Sequence, residues 1–317
     1  MPDAILAADD LSKTFKTRHG RTRAVDRCSF SIGIGETLGL VGESGCGKST
    51  LARLALHLIA PDAGRVRIGG QDFTTASEVA RRKLRRRAQI VFQDALSSLN
   101  PRMTVGVNIA EPMRLQGIGN RRERGDAARA LLELVGLRPD DAARYPHEFS
   151  GGQCQRVAIA RALVLRPDLV VFDEAVSALD VSIRAQILRL ILDLQQRFGL
   201  AYLFISHDLS VVKRMSARIA VMYRGRIVEQ GVAEAVCANP RHPYTAALIR
   251  AIPIPDPRRM RVAALGTISA ELGGSPDGCA FRPRCLSAEG DCATAPELRP
   301  TAPDHSVACH HIEEIAA

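Results

Sequence analysis

The stretch that decides the fold is Gly42-Glu-Ser-Gly-Cys-Gly-Lys-Ser49. It satisfies the pattern G-x-x-x-x-G-K-[ST], and it follows a predicted buried strand, Glu36 to Val41. A predicted helix comes next, with Leu51, Leu54 and Leu58 on one face. Backbone N–H groups at such a strand–helix turn form a cradle for phosphate oxygens, and glycine lets the chain wrap closely around them. The motif by itself predicts a nucleoside triphosphate as ligand.

Two side chains of this loop have a predicted chemical role. Lys48 brings a positive charge to the β- and γ-phosphates, and the hydroxyl of Ser49 ligates Mg²⁺. We expect the nucleotide to be contacted by the whole loop and the start of its helix: Gly42, Glu43, Ser44, Gly45, Cys46, Gly47, Lys48, Ser49 and Thr50.

Short hydrophobic runs alternate with helical patterns along the first 250 residues or so. The predicted strands are Ala88 to Phe92, Leu169 to Phe172 and Ala201 to Ile205, and the predicted helices are Arg124 to Leu137 and Val181 to Arg197. Buried strands that alternate with helices indicate an α/β fold. The stretch from 108 to 120 is less regular, and we assign Glu111 to Gly119 to a separate helical insert.

Two acids end one of these strands, at Asp173 and Glu174. The carboxyl end of a parallel strand beside a phosphate loop is where an acid can hold Mg²⁺. A second acid there can orient or deprotonate an attacking water. The pair therefore predicts hydrolysis as well as binding.

The segment Ser150-Gly-Gly-Gln153 identifies a family. Within Glu148 to Arg161 it resembles the signature sequence of the ATP-binding-cassette (ABC) ATPases, and it precedes Asp173 by the expected twenty residues. The resemblance implies a P-loop NTPase of the ABC type, with a helical subdomain at about residues 94–165. It also implies that four residues complete the ATP site of a facing subunit: Ser150, Gly151, Gly152 and Gln153.

The other family positions occur in order. By resemblance, Gln93 touches Mg²⁺ and the attacking water, and Asp180 belongs to the loop that couples the two sites. His207 contacts the γ-phosphate and helps to hold Glu174, and Phe15 stacks on adenine. The resemblance thus assigns catalysis to Lys48, Glu174 and His207, and Mg²⁺ to Ser49, Gln93 and Asp173.

Two positions depart from the family pattern. Cys154 stands where arginine is usual, and Ala175 stands where proline is usual. Neither position supplies a group to the chemistry, so we expect ATPase activity to survive. Cys154 could make the signature surface sensitive to oxidation, although sequence does not give the pKa of its thiol.

The chain changes character at Ile252 to Pro257, where three prolines mark a linker. We predict a nucleotide-binding domain at 1–254 with a net charge of about +12, and a loop-rich extension at 255–317 with a net charge of −3. His242-Pro-Tyr and Gly278 to Cys285 resemble the C-terminal extension of the oligopeptide/dipeptide branch of ABC importers. We interpret this extension as lying outside the ATPase machinery.

Four of the eight cysteines crowd the extension: Cys279, Cys285, Cys292 and Cys309. Clustered cysteines in a segment with little apolar core can bind metal and hold loops together. Sulfur coordination fits zinc or an iron–sulfur cluster, and the resemblance favours a [4Fe–4S] cluster over zinc or no metal. His305, His310 and His311 could also be ligands, but we interpret them as solvated.

Composition and charge limit the other possibilities. No run approaches the ~18 apolar residues that cross a bilayer, and the acidic start lacks the order of a secretion signal. The net charge of +9 predicts an anionic partner. The basic run from Arg81 to Arg87 lacks interleaved aromatic residues, so we interpret it as a solvated face near anionic lipid and expect no nucleic-acid partner.

The resemblance implies the ATP-hydrolysing subunit of a peptide importer at the cytoplasmic face of the membrane. Its cofactors would be ATP and Mg²⁺. Its partners would be an identical or paralogous ATPase subunit, two transmembrane permease subunits and, indirectly, an extracytoplasmic substrate-binding protein. The alternatives are a soluble ABC ATPase acting on nucleic acid or ribosomes, and a regulatory cassette that does not hydrolyse ATP. Sequence leaves the transported substrate open.

Overall fold

The computed structural model describes residues 4–17, 20–251 and 278–312. The strands of these ranges form two sheets. They are β1 (Ala4–Thr17), β2 (Gly20–Gly33), β3 (Thr37–Val41), β4 (Ala63–Ile68), β5 (Gln71–Asp72), β6 (Ala88–Val91), β7 (Leu169–Asp173), β8 (Ala201–Ile205), β9 (Arg218–Tyr223), β10 (Arg226–Val232), β11 (Arg299–Ala302) and β12 (His305–Val307).

The α-helices of the same ranges connect and cover these strands. They are α1 (Lys48–Ala55), α2 (Glu78–Arg87), α3 (Ala95–Ser98), α4 (Val105–Leu115), α5 (Arg121–Leu134), α6 (Gly151–Leu163), α7 (Val181–Phe198), α8 (Leu209–Met215), α9 (Ala233–Ala238) and α10 (Pro243–Arg250). None of the described helices is both long and apolar enough to cross a membrane.

The main sheet has the order β11-β12-β10-β9-β3-β8-β7-β6. Strands β9, β3, β8, β7 and β6 run parallel, while β10, β12 and β11 are antiparallel additions at one edge. The four strands predicted from hydrophobic runs are β3, β6, β7 and β8, so that prediction is confirmed. Every residue of β3, β7 and β8 is buried, because helices cover one face of the sheet, while α1 and strands of a second sheet cover the other.

Two hydrophobic cores lie on opposite faces of this sheet. In β7, Val170 and Phe172 belong to one core, whereas Leu169 and Val171 belong to the other. This alternation follows from the two-residue period of a strand. The α/β prediction is therefore confirmed.

A second sheet, with the order β2-β1-β4-β5, is antiparallel. Sequence analysis did not predict it. The pairing of β1 with β2 shifts register between Ala8 and Leu11 and again between Leu11 and Lys13, so the two-residue alternation in sequence is interrupted.

Two helices differ from their predicted limits, and each difference has a local cause. Helix α5 begins at Arg121 rather than at 124, because Asn120 and Glu123 form a capping box. Helix α1 ends at Ala55, and the positive φ of +47° at His57 turns the chain away. Leu58 is consequently 47% exposed, so the prediction that it shares the buried face of the helix is wrong.

The irregular stretch from 108 to 120 is largely helical, because α4 continues through Pro112. Helices α4, α5 and α6 pack together, which agrees with a helical insert. The exact limits of this subdomain stay a prediction.

The extension joins the main sheet. Strand β12 pairs with β10, from Gly231 opposite His305 to Glu229 opposite Val307. The interpretation that the extension lies outside the ATPase is wrong for its strands, since β11 and β12 extend the ATPase sheet. The predicted linker, Ile252 to Pro257, lies outside the described residues, and the domain boundary at 254 stays a prediction.

Candidate active site

The phosphate-binding loop connects β3 to α1, as its sequence predicts. Gly47 lies at φ +110°, and a Cβ there would come within 2.2 Å of the Ala24 carbonyl oxygen. Gly42 is equally constrained, since a Cβ there would lie 2.2 Å from the Met222 carbonyl oxygen. Only glycine fits at these two places, because the loop passes directly against neighbouring backbone.

Lys48 opens α1, and its side chain is buried under the loop. Its Nζ donates hydrogen bonds to the carbonyl oxygens of Gly42, at 2.8 Å, and Glu43, at 2.9 Å. The residue is only 4% exposed. A cation is thus held on the inner side of the loop, where it is paired with carbonyl dipoles and one acid.

That acid is Glu174, whose Oε1 lies 3.7 Å from Lys48 Nζ. Its Oε2 lies 3.3 Å from Nδ1 of His207. Glu174 has φ +50°, and its N–H donates to the carbonyl oxygen of Ile205 at 3.1 Å. This strained backbone turns the side chain out of the strand direction. The three predicted catalytic residues therefore meet, although they are far apart in sequence.

Asp173 and Ser49 form the second contact across the site. Ser49 Oγ donates to Asp173 Oδ1 at 2.7 Å. Burial raises the pKa of Asp173, and the Ser49 hydrogen bond opposes that rise. A hydroxyl and a carboxylate are oxygen ligands of the kind that Mg²⁺ prefers.

The other predicted site residues surround this centre at greater distance. Gln93 is exposed, and its Nε2 donates to Ser177 Oγ at 3.4 Å, beyond the end of β7. Asp180 is exposed at the N-terminus of α7, where its side chain forms no capping hydrogen bond. Phe15, 40% exposed, lies near the end of β1 opposite Thr22.

Ser150 caps α6 in a capping box with Gln153: Ser150 Oγ accepts from the Gln153 N–H at 3.4 Å, and Gln153 Oε1 accepts from the Ser150 N–H at 2.9 Å. A Cβ at Gly151 would meet open space, whereas one at Gly152 would lie 2.5 Å from Ile183. Within the described ranges, no hydrogen bond or ion pair joins this segment to the phosphate-binding loop. The structure brings together the loop, the two acids and His207, but not the Ser150 segment.

The two departures from the family pattern are both buried. Cys154 is 1% exposed, and burial raises the pKa of its thiol. The expected oxidation-sensitive surface is therefore wrong for this residue, because an enclosed neutral thiol is poorly reactive. Ala175, 3% exposed, packs in the hydrophobic core.

Two residues at the site were missed from sequence. The Tyr244 hydroxyl accepts the N–H of Glu43 at 2.9 Å, and Arg284 Nη1 donates to both carboxylate oxygens of Glu43, at 2.9 and 3.0 Å. Both lie inside the segments that resemble the peptide-importer extension, His242-Pro-Tyr and Gly278 to Cys285. That resemblance was the available signal, but it indicated a family branch rather than a contact.

The four clustered cysteines have free thiols and line one small cavity. Burial raises the pKa of Cys285, Cys292 and Cys309, the last to about 11, and the neighbouring thiols add to the rise. In the described part of the chain, only one group of three potential ligands lies within 4.8 Å: Asp291, Cys292 and His311. No three of the four sulfurs are that close.

The histidines of the extension differ from expectation. His305 is 8% exposed, and its Nε2 lies 2.8 Å from Oε1 of the fully buried Glu229. The interpretation that it is solvated is wrong. His310 and His311 lie near Asp291, with His311 Nε2 at 2.9 Å from its carboxylate.

Comparison with known proteins assigns two segments of the chain to families. Residues 25–177 match the family model described as "ABC transporter", and residues 228–292 match "Oligopeptide/dipeptide transporter, C-terminal region".

Similar curated proteins span the whole chain. A probable peptide ABC transporter ATP-binding protein of Sinorhizobium fredii is 51% identical over 98% of this chain and 90% of its own length. A di/tripeptide transport ATP-binding protein of Pseudomonas aeruginosa is 45% identical over 98% and 99%. An oligopeptide transport ATP-binding protein of Bacillus subtilis is 46% identical over 97% of both chains.

Solved structures share the fold of the cassette. An ATP-binding cassette solved as a dimer with ADP and phosphate matches with a TM-score of 0.66 and 28% identity, over 72% of this chain and 98% of its own. A cassette of Clostridium perfringens, described as part of an ABC transporter complex, matches with a TM-score of 0.65 and 26% identity, over 77% and 93%.

Proposed function

Because the chain belongs to the ABC transporter ATPases of the oligopeptide/dipeptide branch, we propose that it hydrolyses ATP to drive peptide import through a membrane transporter. One arrangement supports this best: Glu174 lies between Lys48, at 3.7 Å, and His207, at 3.3 Å. An acid beside a phosphate-binding lysine and a histidine is suited to hydrolysis rather than to binding alone.

Nucleotide binding uses the loop from Gly42 to Thr50. Its N–H groups and the N-terminus of α1 face the phosphates, and Lys48 exchanges its carbonyl partners for phosphate oxygens. Phe15 is exposed enough for adenine to stack on it. Ser49, Asp173 and Gln93 would hold Mg²⁺, which would neutralise charge on the phosphates.

Hydrolysis requires a water molecule held by a base. Glu174 orients that water or accepts a proton from it. Its side chain is 16% exposed, which limits the access of other water molecules to the carboxylate. His207 fixes the carboxylate and contacts the γ-phosphate, while Lys48 counters the charge that develops there.

The active assembly is a dimer attached to membrane permeases. The Ser150 segment is the part that acts on the partner: a helix N-terminus with an exposed serine and glycine suits the γ-phosphate bound to a facing subunit. Asp180 couples the two sites across that contact. The partner is an identical or paralogous ATPase, and an extracytoplasmic binding protein delivers the peptide. The chain lies on the cytoplasmic side, bound peripherally.

The alternative of a nucleic-acid or ribosome ATPase has no support among the relatives, which are peptide-transport proteins by name. The basic helix α2 fits a structural and membrane-facing role. Arg85 pairs with Glu78 and Arg87 pairs with Asp168, both at 2.6 Å, so part of its charge is already neutralised.

We propose that the four cysteines of the extension would hold an iron–sulfur cluster, as the resemblance to the peptide-importer extension implies. Their free thiols line a common cavity, but no three sulfurs lie within 4.8 Å among the described residues. A single tetrahedral zinc would need sulfurs about 3.8 Å apart, so this arrangement does not fit one zinc held by all four thiolates. Cys279, Cys285, Cys292 and Cys309 would be the ligands. Such a cluster supplies a cross-link between loops that lack an apolar core.

Metal analysis of the anaerobically purified chain tests this assignment. We expect visible absorbance and about four iron atoms per chain. Cys292→Ser should lose both, and Cys237→Ser, which alters a thiol outside the cavity, should lose neither. Iron-free, colourless wild-type protein would contradict the cluster.

The hydrolytic function is tested by Glu174→Gln in the full-length chain. We expect the variant to bind Mg·ATP like the wild type and to lose at least about 100-fold in turnover, because the amide cannot accept the proton. Glu133→Gln, an exposed change on α5, is the matched control. Normal turnover by Glu174→Gln would refute the assignment. Co-purification with nucleic acid instead of membrane permeases would refute the transport role.

A further inference from the structure

Glu43, the second residue of the phosphate-binding loop, is held from three directions. Its N–H donates to the Tyr244 hydroxyl at 2.9 Å, and its carbonyl oxygen accepts from Lys48 at 2.9 Å. Its carboxylate accepts from Arg284 at 2.9 and 3.0 Å. Two of these three anchors come from residues more than 200 positions later in the chain.

An aromatic cluster fixes both distant anchors. Tyr223, Tyr244 and Phe281 are at most 3% exposed, and their ring centroids lie 4.5 to 5.6 Å apart. The guanidinium of Arg284 lies 5.9 Å from the ring centroid of Tyr223 and 5.7 Å from that of Phe281. Buried rings restrict the rotamers of the groups they touch, so Tyr244 and Arg284 meet Glu43 from a rigid support.

The same cluster connects the loop to the extension. Phe281 and Arg284 lie in the turn between Cys279 and Cys285, where the Arg284 N–H donates to the Phe281 carbonyl oxygen at 2.9 Å. The turn that carries two of the clustered cysteines therefore carries the arginine that reaches the phosphate-binding loop.

Electrostatics gives the Arg284 contact a consequence for nucleotide binding. The Glu43 side chain is 43% exposed at a loop that must receive an anionic polyphosphate, and an unpaired carboxylate there would repel it. The arginine neutralises that charge. Its side chain is 26% exposed, so solvent screens the pair only in part.

Lys48 is the anchor that must leave Glu43 to reach the phosphates. A glycine-rich loop has many accessible conformations, and ordering it on binding costs affinity. The contacts of Tyr244 and Arg284 persist when the lysine departs, and they hold the loop in the shape that receives phosphate.

We propose that Tyr244 and Arg284 are positioning residues for the phosphate-binding loop, and that through Arg284 the C-terminal extension sets the affinity of the site for ATP. The proposal rests on the ATPase function proposed above. It adds that the extension contributes directly to nucleotide binding, beyond any role in metal binding.

The test compares Arg284→Met with Arg282→Met in the full-length chain. Arg282 is exposed in the same turn and forms no ion pair among the described residues, which makes it a matched control. For Arg284→Met we expect the Kd and the KM for Mg·ATP to rise about threefold, while kcat stays within about twofold of the wild-type value. The rise is small because a partly exposed ion pair contributes only a modest free energy. Tyr244→Phe keeps the ring and should raise the same constants about fivefold. Arg282→Met should change neither.

A double-mutant cycle identifies the route. If Arg284 acts through Glu43, then Glu43→Gln with Arg284→Met should raise Kd no more than Arg284→Met does alone. Arg284→Lys, which keeps the charge, should recover part of the affinity. These binding measurements remain informative if Arg284→Met melts below the wild type, because a loss confined to stability leaves Kd unchanged in the folded protein.

Two results would overturn the proposal. One is an ATP affinity of Arg284→Met equal to that of Arg282→Met. The other is a double variant in which the effects of Glu43→Gln and Arg284→Met on Kd simply add. Failure of the underlying function would look different. In that case the wild-type chain itself would not bind Mg·ATP.

Discussion

Replacing Glu229 by glutamine should loosen the C-terminal extension from the main sheet. Glu229 is fully buried in β10, and its Oε1 accepts from the Arg241 N–H and contacts His305 Nε2, both at 2.8 Å. Its Oε2 accepts from the His242 N–H at 3.0 Å. One carboxylate thus holds the start of the segment leading into α10 and the strand β12 of the extension.

The magnitude follows from counting acceptors. Glutamine has the same shape but one acceptor oxygen, so its amide nitrogen must face at least one of the donors that Glu229 satisfies. Leaving a buried donor without its partner costs about 1–3 kcal/mol, and we expect about 2 kcal/mol here. With an unfolding entropy of ~2.1 cal/mol/K per residue, a chain of this length should melt about 3 °C lower.

Thermal unfolding and limited proteolysis measure the effect. The matched control is Glu234→Gln, the same change at an exposed position on α9, which should cost less than about 0.5 kcal/mol. Faster proteolysis of the extension should accompany the lower melting temperature of Glu229→Gln. The reasoning fails if Glu229→Gln melts together with Glu234→Gln and its extension is cleaved at the wild-type rate.

Three further predictions follow from named contacts. Gly47→Ala should abolish detectable ATP binding by titration, because its Cβ would lie 2.2 Å from a backbone carbonyl oxygen at φ +110°; unchanged binding would contradict the geometry. Burial raises the pKa of Asp141, but hydrogen bonds from Arg144 and Arg138 outweigh it and lower the pKa overall. Asp141→Asn should therefore lower the free energy of unfolding in urea by about 1 kcal/mol at pH 7. This difference between variant and wild type should shrink as the pH falls below the ordinary aspartate pKa of about 3.9. A difference that does not vary with pH would refute the assignment. Burial raises the pKa of Cys28 to about 12, so iodoacetamide at pH 8 should leave it unmodified by mass spectrometry until the chain is unfolded in urea.

The parallel core of the fold was predictable because its signals are local. Strands β3, β7 and β8 are short hydrophobic runs buried on both faces, and such runs are recognisable without knowledge of their partners. The antiparallel sheet of β1 and β2 was missed because register shifts interrupt their alternation. The course of Leu58 was mispredicted because a single positive φ at His57 ends the helix early.

The candidate site divides in the same way. Lys48, Asp173, Glu174 and His207 could be found from motif order, since each lies at or just beyond the carboxyl end of a parallel strand, and these ends share one edge of the sheet. The cysteines could be found from their crowding in sequence. The burial of His305 could not, because nothing local distinguishes a solvated histidine from one that contacts a buried carboxylate.

Sequence by itself determined the chemistry: a glycine-rich loop with Lys48 and Ser49, two acids after a hydrophobic strand, and a histidine after the next strand. These elements are recognisable because their residue types and spacing are dictated over a few residues by phosphate and metal binding. Only the tertiary structure decided that Tyr244 and Arg284 contact Glu43 and that β12 extends the ATPase sheet by pairing with β10. Those contacts join residues 201 and 241 positions apart for Glu43, and pairings at such separations depend on how the whole chain packs.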